Sequence, residues 1–281
     1  KEPSNLVNIV CHYHKNAATL LDALKKIDDK TDTGDGYERA LDHLFKEQTY
    51  VPVPYEGTWQ AVKYPWHLLE LLPVLLKEID ETVIDSSAVI HESAVIEGNV
   101  IIEENVRVLP NAVIVGPCVI GHDSIIGNNA LVRGSSVGPH CVIGYNTEVK
   151  SSVLHSHVWT HSTYIGDSVI GENVSFGAGS VTGNLRLDEG EIESLIDDAR
   201  TKTGLTKFGT IIGSDSRIGI HVGINPGIKI GRGSFVSSGS LVDRDLDDRS
   251  FAKMKGGELD VRENKTEAPK PAGRTKYRKK I

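Results

Sequence analysis

The sequence predicts a mainly β protein, a parallel β-solenoid preceded by a small α/β segment, and three observations carry that expectation. From Ile84 an aliphatic residue recurs every six positions, at Ile84, Ile90, Ile96, Ile102, Val108, Ile114, Ile120, Ile126 and Val132. Gly, Asn, Asp and Ser fill the places between, as in Ile120-Gly121-His122-Asp123, where small residues and those that tolerate left-handed backbone suit corners. Before residue 80 this period is missing and the spacing turns helix-like.

The first eighty residues read as an α/β piece. Ala17 to Asp28 places Leu20, Leu21, Leu24 and Ile27 on one face, and Tyr37 to Phe45 and Trp66 to Ile79 show the same spacing, so three helices are expected. Thr49-Tyr50-Val51-Pro52-Val53 reads as a strand because β-branched and aromatic residues dominate it.

From 81 to 247 the period decides the architecture. Six residues fit neither an α-helix at 3.6 nor a coiled coil at 3.5. Each hexamer is one short strand plus one corner, and three close a triangular coil. Successive coils stack about 4.8 Å apart through parallel ladders, with each aliphatic side chain inward. A buried Ile or Val in such a column contributes roughly 1.5 to 3 kcal/mol. The phase slips by one before Val137, Ile143 and Val149, runs raggedly through Ile165, Ile170 and Phe176, and resumes cleanly at Ile212, Ile218, Ile224, Ile230, Val236 and Val242. A charged insertion, 185–206, explains the gap, and 248–281 is expected to be a charged, basic, disordered tail.

Composition narrows the function classes. The chain has 281 residues, 31 Lys plus Arg and 38 Asp plus Glu, for a formal net charge of -7, with 39% hydrophobic residues. That balance is ordinary for a globular protein and argues against a dedicated nucleic-acid binder, and no apolar run is long enough to span a bilayer. Three cysteines, Cys11, Cys118 and Cys141, are unpaired in spacing and fit a reducing cytoplasm. The basic residues from Lys265 to Lys280 are read as a solvated end. Because the chain begins at Lys1 rather than Met, it is expected to be a fragment or a processed product.

The hexamer pattern, over roughly residues 82 to 245, resembles the hexapeptide-repeat, left-handed parallel β-helix acyltransferases. The left hand and a homotrimer with active sites between neighbouring prisms follow from that resemblance. Pro3-Ser4-Asn5-Leu6-Val7-Asn8 and Gly57-Thr58-Trp59-Gln60-Ala61-Val62-Lys63-Tyr64-Pro65-Trp66-His67-Leu68-Leu69-Glu70 are similar to the closing segment of a sugar-1-phosphate nucleotidylyltransferase domain, where Asn8 would touch the sugar. The Gly-rich phosphate loop of that family has no counterpart here, and Ala61 stands where many members carry an acidic magnesium ligand. Transfer of a nucleotidyl group depends on both elements, so residues 1–80 are read as a truncated remnant.

The densest cluster of chemistry is Lys150, His155, His157, Trp159, His161 and Tyr164, followed by Gly177-Ala178-Gly179 and Asn184-Leu185-Arg186. His161-Ser162-Thr163-Tyr164-Ile165-Gly166-Asp167 and Asn173 through Asn184 resemble the active-site motif of the bifunctional enzyme that acetylates glucosamine-1-phosphate and then uridylates it, in its archaeal form. The resemblance implies an acetyl-CoA-dependent N-acetyltransferase acting on glucosamine-1-phosphate or galactosamine-1-phosphate in nucleotide-sugar biosynthesis, with no metal required for acetyl transfer. His161 is the expected base, an imidazole having an ordinary pKa of about 6.5. The amide of Ala178 is the expected oxyanion donor, and Asn184 and Tyr164 the groups that orient the amine or hold the sugar phosphate. Arg133, Lys150 and Lys207 match cationic positions for the phosphate, with Lys202 able to replace Lys207 if the insertion shifts the register. Ser175 stands where the family often has Asn. Gly219 and Ser238 are the expected wall for pantetheine.

Three other readings are set beside this one. The chain could be part of a bifunctional nucleotidylyltransferase and acetyltransferase whose first half lies elsewhere. It could be a zinc enzyme like the γ-type carbonic anhydrases, with His155, His157 and His161 as ligands, although that family spaces two ligands five apart and these are two and four apart. It could also be a trimeric scaffold without activity.

Overall fold

The computed structural model describes residues 8–27 and 34–274. Two compact units divide the chain between Trp59 and Gln60, so the break falls before the third helix rather than at residue 80.

In the first unit, helix α1 (Ala17–Lys26) starts at Asn16, whose side-chain oxygen accepts the Ala18 amide at 2.9 Å and satisfies one orphan donor of the first turn. Helix α2 (Gly36–Glu47) packs on α1 through Ala23, Ala40 and Leu44, with Leu20, Leu24, Ile27 and Tyr50 around them. The expected strand at Thr49 to Val53 does not form. Val51 and Val53 are 78% and 85% exposed, and Pro52 and Pro54 lack the amides a ladder needs. Asn8 accepts the Val10 amide at 2.8 Å, whereas the residues from Pro3 to Val7 lie outside the described ones.

The second unit opens with helix α3 (His67–Leu76), which buries Leu72 and Leu76. Just before it, Trp66 is 1% exposed and packs with Ile192 and Phe208. Trp66 therefore ties this helix to the solenoid, which is why the unit begins ahead of it.

The solenoid has three parallel faces. The first holds eight strands from Val83–Ile84 to Ile228–Ile230. The second runs from Val89–Ile90 through a bridge at Trp159 to Phe235–Val236, and the third holds eight strands from Val95–Glu97 to Leu241–Val242. Ile102 pairs with Ile120, and Val108 pairs with Ile126, so one coil is three hexamers. Ile102, Ile114, Ile120, Ile126, Val132, Ile143, Val149 and Ile165 are all 1% exposed or less.

The ragged stretch is still solenoid. Ile120 pairs with Val137 and Leu154 with Ile170, seventeen and sixteen residues apart, because the missing residues are removed from corners. Val132 reaches Val137 in five steps where Ile114 reaches Ile120 in six. The inward register survives, so hydrophobic burial continues through the slip.

The segment from 185 to 206 carries an antiparallel hairpin, Glu193–Ile196 with Ala199–Lys202, between coils that remain paired as Ile170 with Ile212. The tail expected from 248 is partly ordered. Ser250–Lys255 and Glu258–Glu263 pair antiparallel, and Phe251 joins Phe235 on the second face. Ala252 and Leu259 are 0% and 5% exposed within the core. Alternating apolar residues let this charged stretch close the open end of the column, where a bare coil would leave apolar side chains and ladder groups uncovered. Farther on, the Pro269 carbonyl accepts from Arg217 and Asn173, each at 3.1 Å. The basic residues Lys276, Arg278, Lys279 and Lys280 lie outside the described residues.

Candidate active site

Two edges of the prism and the face between them hold most of the expected site residues. His161 lies on the corner between the second and third faces, where one coil follows the next through Ser162, whose amide donates to the Tyr145 carbonyl at 3.0 Å, and Gly179, whose amide donates to the Ser162 carbonyl at 3.0 Å. His161 and Ala178 are thus on one edge, one coil apart. The imidazole is exposed, and among the described residues the Ala178 amide donates to no protein acceptor while its carbonyl accepts the His221 amide at 2.9 Å. Gly179 has φ of 74°, and a Cβ there would lie 2.4 Å from His221 Nδ1, so glycine leaves room at this turn for the imidazole of the next coil.

The same edge continues through Gly219 and Ser238. A Cβ at Gly219 would sit 2.6 Å from the Ser238 nitrogen, and Ser238 Oγ accepts the Ile220 amide at 3.2 Å. Small residues therefore keep the wall flat at Gly219, although Ile220 beside it is 50% exposed.

The core beside the His161 corner is polar. Trp159 aligns with Val142 and Ser175, so Thr160 points inward where the neighbouring coils have Ile143 and Phe176. Thr160 is 5% exposed; its Oγ1 accepts the Gly144 amide at 3.0 Å and donates to the Val142 carbonyl at 3.3 Å. Thr182, 1% exposed, likewise accepts the Gly166 amide at 3.0 Å. Polar groups replace aliphatic ones in the column beside the candidate site, and their hydrogen bonds repay the desolvation.

Across the third face, a strand of three residues and roughly 10 Å from the His161 edge, a polar cluster forms. Tyr164 projects outward on the strand Tyr164–Gly166, and its Oη accepts from Asn184 Nδ2 at 3.1 Å. The same Asn184 nitrogen donates to Asp167 Oδ2 at 2.5 Å, and Lys150 Nζ meets that oxygen at 2.8 Å. Burial pushes the Tyr164 phenol above its ordinary value, and the nearby Lys150 charge offsets only part of that rise, so the group stays protonated and able to donate. Arg133 lies two coils' pairing away on the same face, through Arg133 with Lys150 and Lys150 with Gly166, and donates to Glu148 Oε1 from Nε at 3.0 Å and Nη2 at 2.6 Å.

Asp167 was not among the site residues expected from sequence, yet it joins Lys150 to Asn184. Its sign in the sequence is its place three residues after Tyr164 in the motif, which spacing alone does not distinguish from a corner Asp. Glu148, two residues before Lys150, is the other carboxylate that the sequence leaves unmarked. Lys207 is brought near Asn184: Leu185 bridges Lys207, and the Phe208 amide donates to the Asn184 carbonyl at 3.0 Å. Lys202 lies instead on the insertion hairpin. Ser175 is on the second face and does not join the Tyr164 cluster of its own chain.

His155, His157 and His161 do not form the zinc set that their spacing raises. His155 is exposed against Ser156 Oγ at 3.3 Å, His157 stacks on His140 with centroids 4.8 Å apart, and His161 occupies a different edge. Alternation of corner residues sends neighbouring histidines in different directions.

Residues 78–187 match the GMPPB C-terminal domain, and residues 209–244 match the six-repeat hexapeptide model of bacterial transferases. The chain is 34% identical over 257 residues to the bifunctional protein GlmU of Methanocaldococcus jannaschii, covering 88% of this chain and 60% of that protein. It is 34% identical over 217 residues to the GlmU protein of Methanococcus aeolicus, covering 77% and 52%. A stretch of 113 residues is 42% identical to the bifunctional sugar-1-phosphate nucleotidylyltransferase/acetyltransferase of Sulfurisphaera tokodaii, covering 40% of this chain and 28% of that protein. The chain thus spans about 60% or less of the length of these relatives. Among solved structures, the UDP-N-acetylglucosamine acyltransferase from Campylobacter jejuni is similar over 64% of this chain and 74% of that one, with 14% identity and a TM-score of 0.39.

Proposed function

This chain is a hexapeptide-repeat solenoid protein related to the GlmU-type bifunctional proteins of archaea, and on that premise we propose that it is an acetyl-CoA-dependent N-acetyltransferase acting on an amino-sugar-1-phosphate, either glucosamine-1-phosphate or galactosamine-1-phosphate. The observation that supports it best is the pairing of an exposed His161 with the Ala178 amide one coil away, facing a Tyr164, Asn184 and Lys150 cluster across a single strand.

In this reading the sugar phosphate lies over the third face. Its phosphate meets Lys150, Arg133 and Lys207, whose cationic donors neutralise it, and Tyr164 and Asn184 turn the amine toward His161. The amine nitrogen attacks the thioester carbon of acetyl-CoA while His161 takes its proton. The carbonyl oxygen gains the electron pair, and the Ala178 amide donates to it. The C–S bond then breaks, the imidazolium returns the proton to the thiolate, and an N-acetyl sugar phosphate and CoA leave. Gly219 and Ser238 form the wall along which pantetheine lies.

A ring of three prisms would complete the pocket. His161 and the Tyr164 cluster are open on a single chain, and cyclic packing sets unlike surfaces of neighbouring copies together. The second face of one copy beside the third face of the next would bring Ser175 to a neighbour's sugar. No helix among the described residues is long and apolar enough to cross a membrane, and both substrates are water-soluble; the cytoplasm is the proposed compartment.

The test is thiol release from acetyl-CoA by the purified chain, with glucosamine-1-phosphate and galactosamine-1-phosphate in parallel. Turnover with one sugar phosphate that His161→Ala loses supports the reading. Equal, slow release by wild type and variant across both sugars overturns it.

A further inference from the structure

We propose that the edge between the first and second faces carries a binding site for a borderline divalent transition-metal ion, held by His122, Asp123 and His140 and separate from acetyl transfer. One ligand atom from each of these three side chains lies within 4.8 Å of the other two. Asp123 Oδ2 is 2.9 Å from His122 Nδ1 and 3.8 Å from His140 Nδ1. Metal bonds of about 2.1 Å in tetrahedral geometry place ligand atoms about 3.4 Å apart, so the two Asp123 distances bracket that value, and the two imidazole nitrogens, within 4.8 Å of each other, close toward it by side-chain rotation.

The fold holds the group ready. Asp123 and His140 are equivalent corner residues of successive coils, with φ of 55° and 57°, and the His140 amide donates to the His122 carbonyl at 2.9 Å. Ladder pairing of Ile120 with Val137 and Ile126 with Ile143 on either side of the corner fixes the separation of the two backbones. The rings of His122 and His140 are perpendicular at 4.9 Å, and His157 from the next coil stacks parallel on His140 at 4.8 Å, which limits how His140 turns. All three side chains are a little over a third exposed, so an ion can enter from water and keep water on its open positions.

The donor set selects the class. Two imidazole nitrogens and one carboxylate oxygen suit zinc, cobalt or nickel, whereas magnesium and calcium prefer oxygen throughout. Bound there, the ion joins two adjacent coils at an edge that holds neither His161 nor the Tyr164 cluster. It stabilises the folded chain by mass action.

The experiment titrates the full chain with zinc chloride against a chromophoric chelator and records thermal unfolding with and without zinc. Expected are one equivalent bound per chain, a raised melting temperature, and loss of both in the double variant His122→Ala/His140→Ala, with affinity down at least about tenfold. His155→Ala and His161→Ala keep wild-type affinity. Cupric ion bound to the wild-type chain should show coupling to two imidazole nitrogens by electron paramagnetic resonance, a readout that does not depend on a variant's folding. Zinc affinity and stoichiometry in the double variant equal to wild type, or copper coupled to no imidazole pair, overturns the proposal.

Discussion

Lys150 Nζ and Asp167 Oδ2 meet at 2.8 Å with side chains only 16% and 13% exposed, and the same oxygen takes Asn184 Nδ2 at 2.5 Å. One carboxylate thereby sets the position of two residues proposed to hold the substrate, and it comes from the next coil rather than from that of Lys150.

Asp167→Asn is expected to leave the fold but loosen Lys150 and Asn184. The Michaelis constant for the sugar phosphate should rise while that for acetyl-CoA stays near wild type. Asp167→Ala goes further, leaving a largely buried ammonium without its acceptor, and should cost roughly 1 to 3 kcal/mol. Steady-state kinetics with each substrate varied, plus denaturant melts, check both. Equal rises in the two Michaelis constants would argue against a positioning role.

His161→Ala is expected to slow acetyl transfer by about 10² to 10⁴-fold with stability within about 0.5 kcal/mol of wild type, as the residue is exposed. Thiol-release rates and a thermal melt on the same preparation read the two effects separately.

Thr160→Val tests the polar column. The change keeps shape but leaves the buried Gly144 amide without its acceptor, at a cost of roughly 1 to 3 kcal/mol. A melting temperature lower by about 2 to 4 °C per kcal/mol is expected for a unit of this size. An unchanged melt would mean the amide finds another partner.

Ile120→Ala removes a fully buried side chain between two ladder neighbours and should destabilise by about 2 to 5 kcal/mol. Ile84→Ala, at a position 44% exposed, should cost far less, although both occupy the same phase of the repeat. Denaturant titration of the pair distinguishes a stacked column from a uniform coil.

Tyr164 sets a pH dependence. Because burial raises its phenol in the folded state, the protonated form is favoured on folding. That contribution is present below the ordinary phenol value near 10 and is lost as pH rises through the higher folded value. Tyr164→Phe should therefore soften the alkaline loss of stability, and the wild-type minus variant phenolate absorbance should titrate above about 10. A difference titration centred at or below that ordinary value contradicts the burial argument.

The inward column was legible because every coil repeats one simple constraint, an aliphatic side chain facing two like it. Ile84 through Val132 announce it without any knowledge of neighbours. The failures have local causes: Val51 and Val53 have strand-like chemistry but no partner and no face to bury, and Phe251 through Val261 looked like tail because their charged neighbours hide an alternation that only a column end makes useful. At the candidate site, His161, Tyr164 and Asn184 were legible as a motif, whereas Asp167 and Glu148 were not, since a corner or strand carboxylate has no distinguishing pattern until the cation above it is known.

What the chain determined by its own order is therefore the solenoid: the six-residue period, the inward face and the placing of corners, all short-range properties of side-chain size and backbone tolerance. What only the folded chain decided is which residues share an edge. Coils of eighteen, seventeen and sixteen residues shift the stacking, so that Asp167 falls beneath Lys150 and His140 beside His122. Distances along the sequence cannot reveal those pairings, because they depend on how many residues each corner drops before the next strand takes up its ladder.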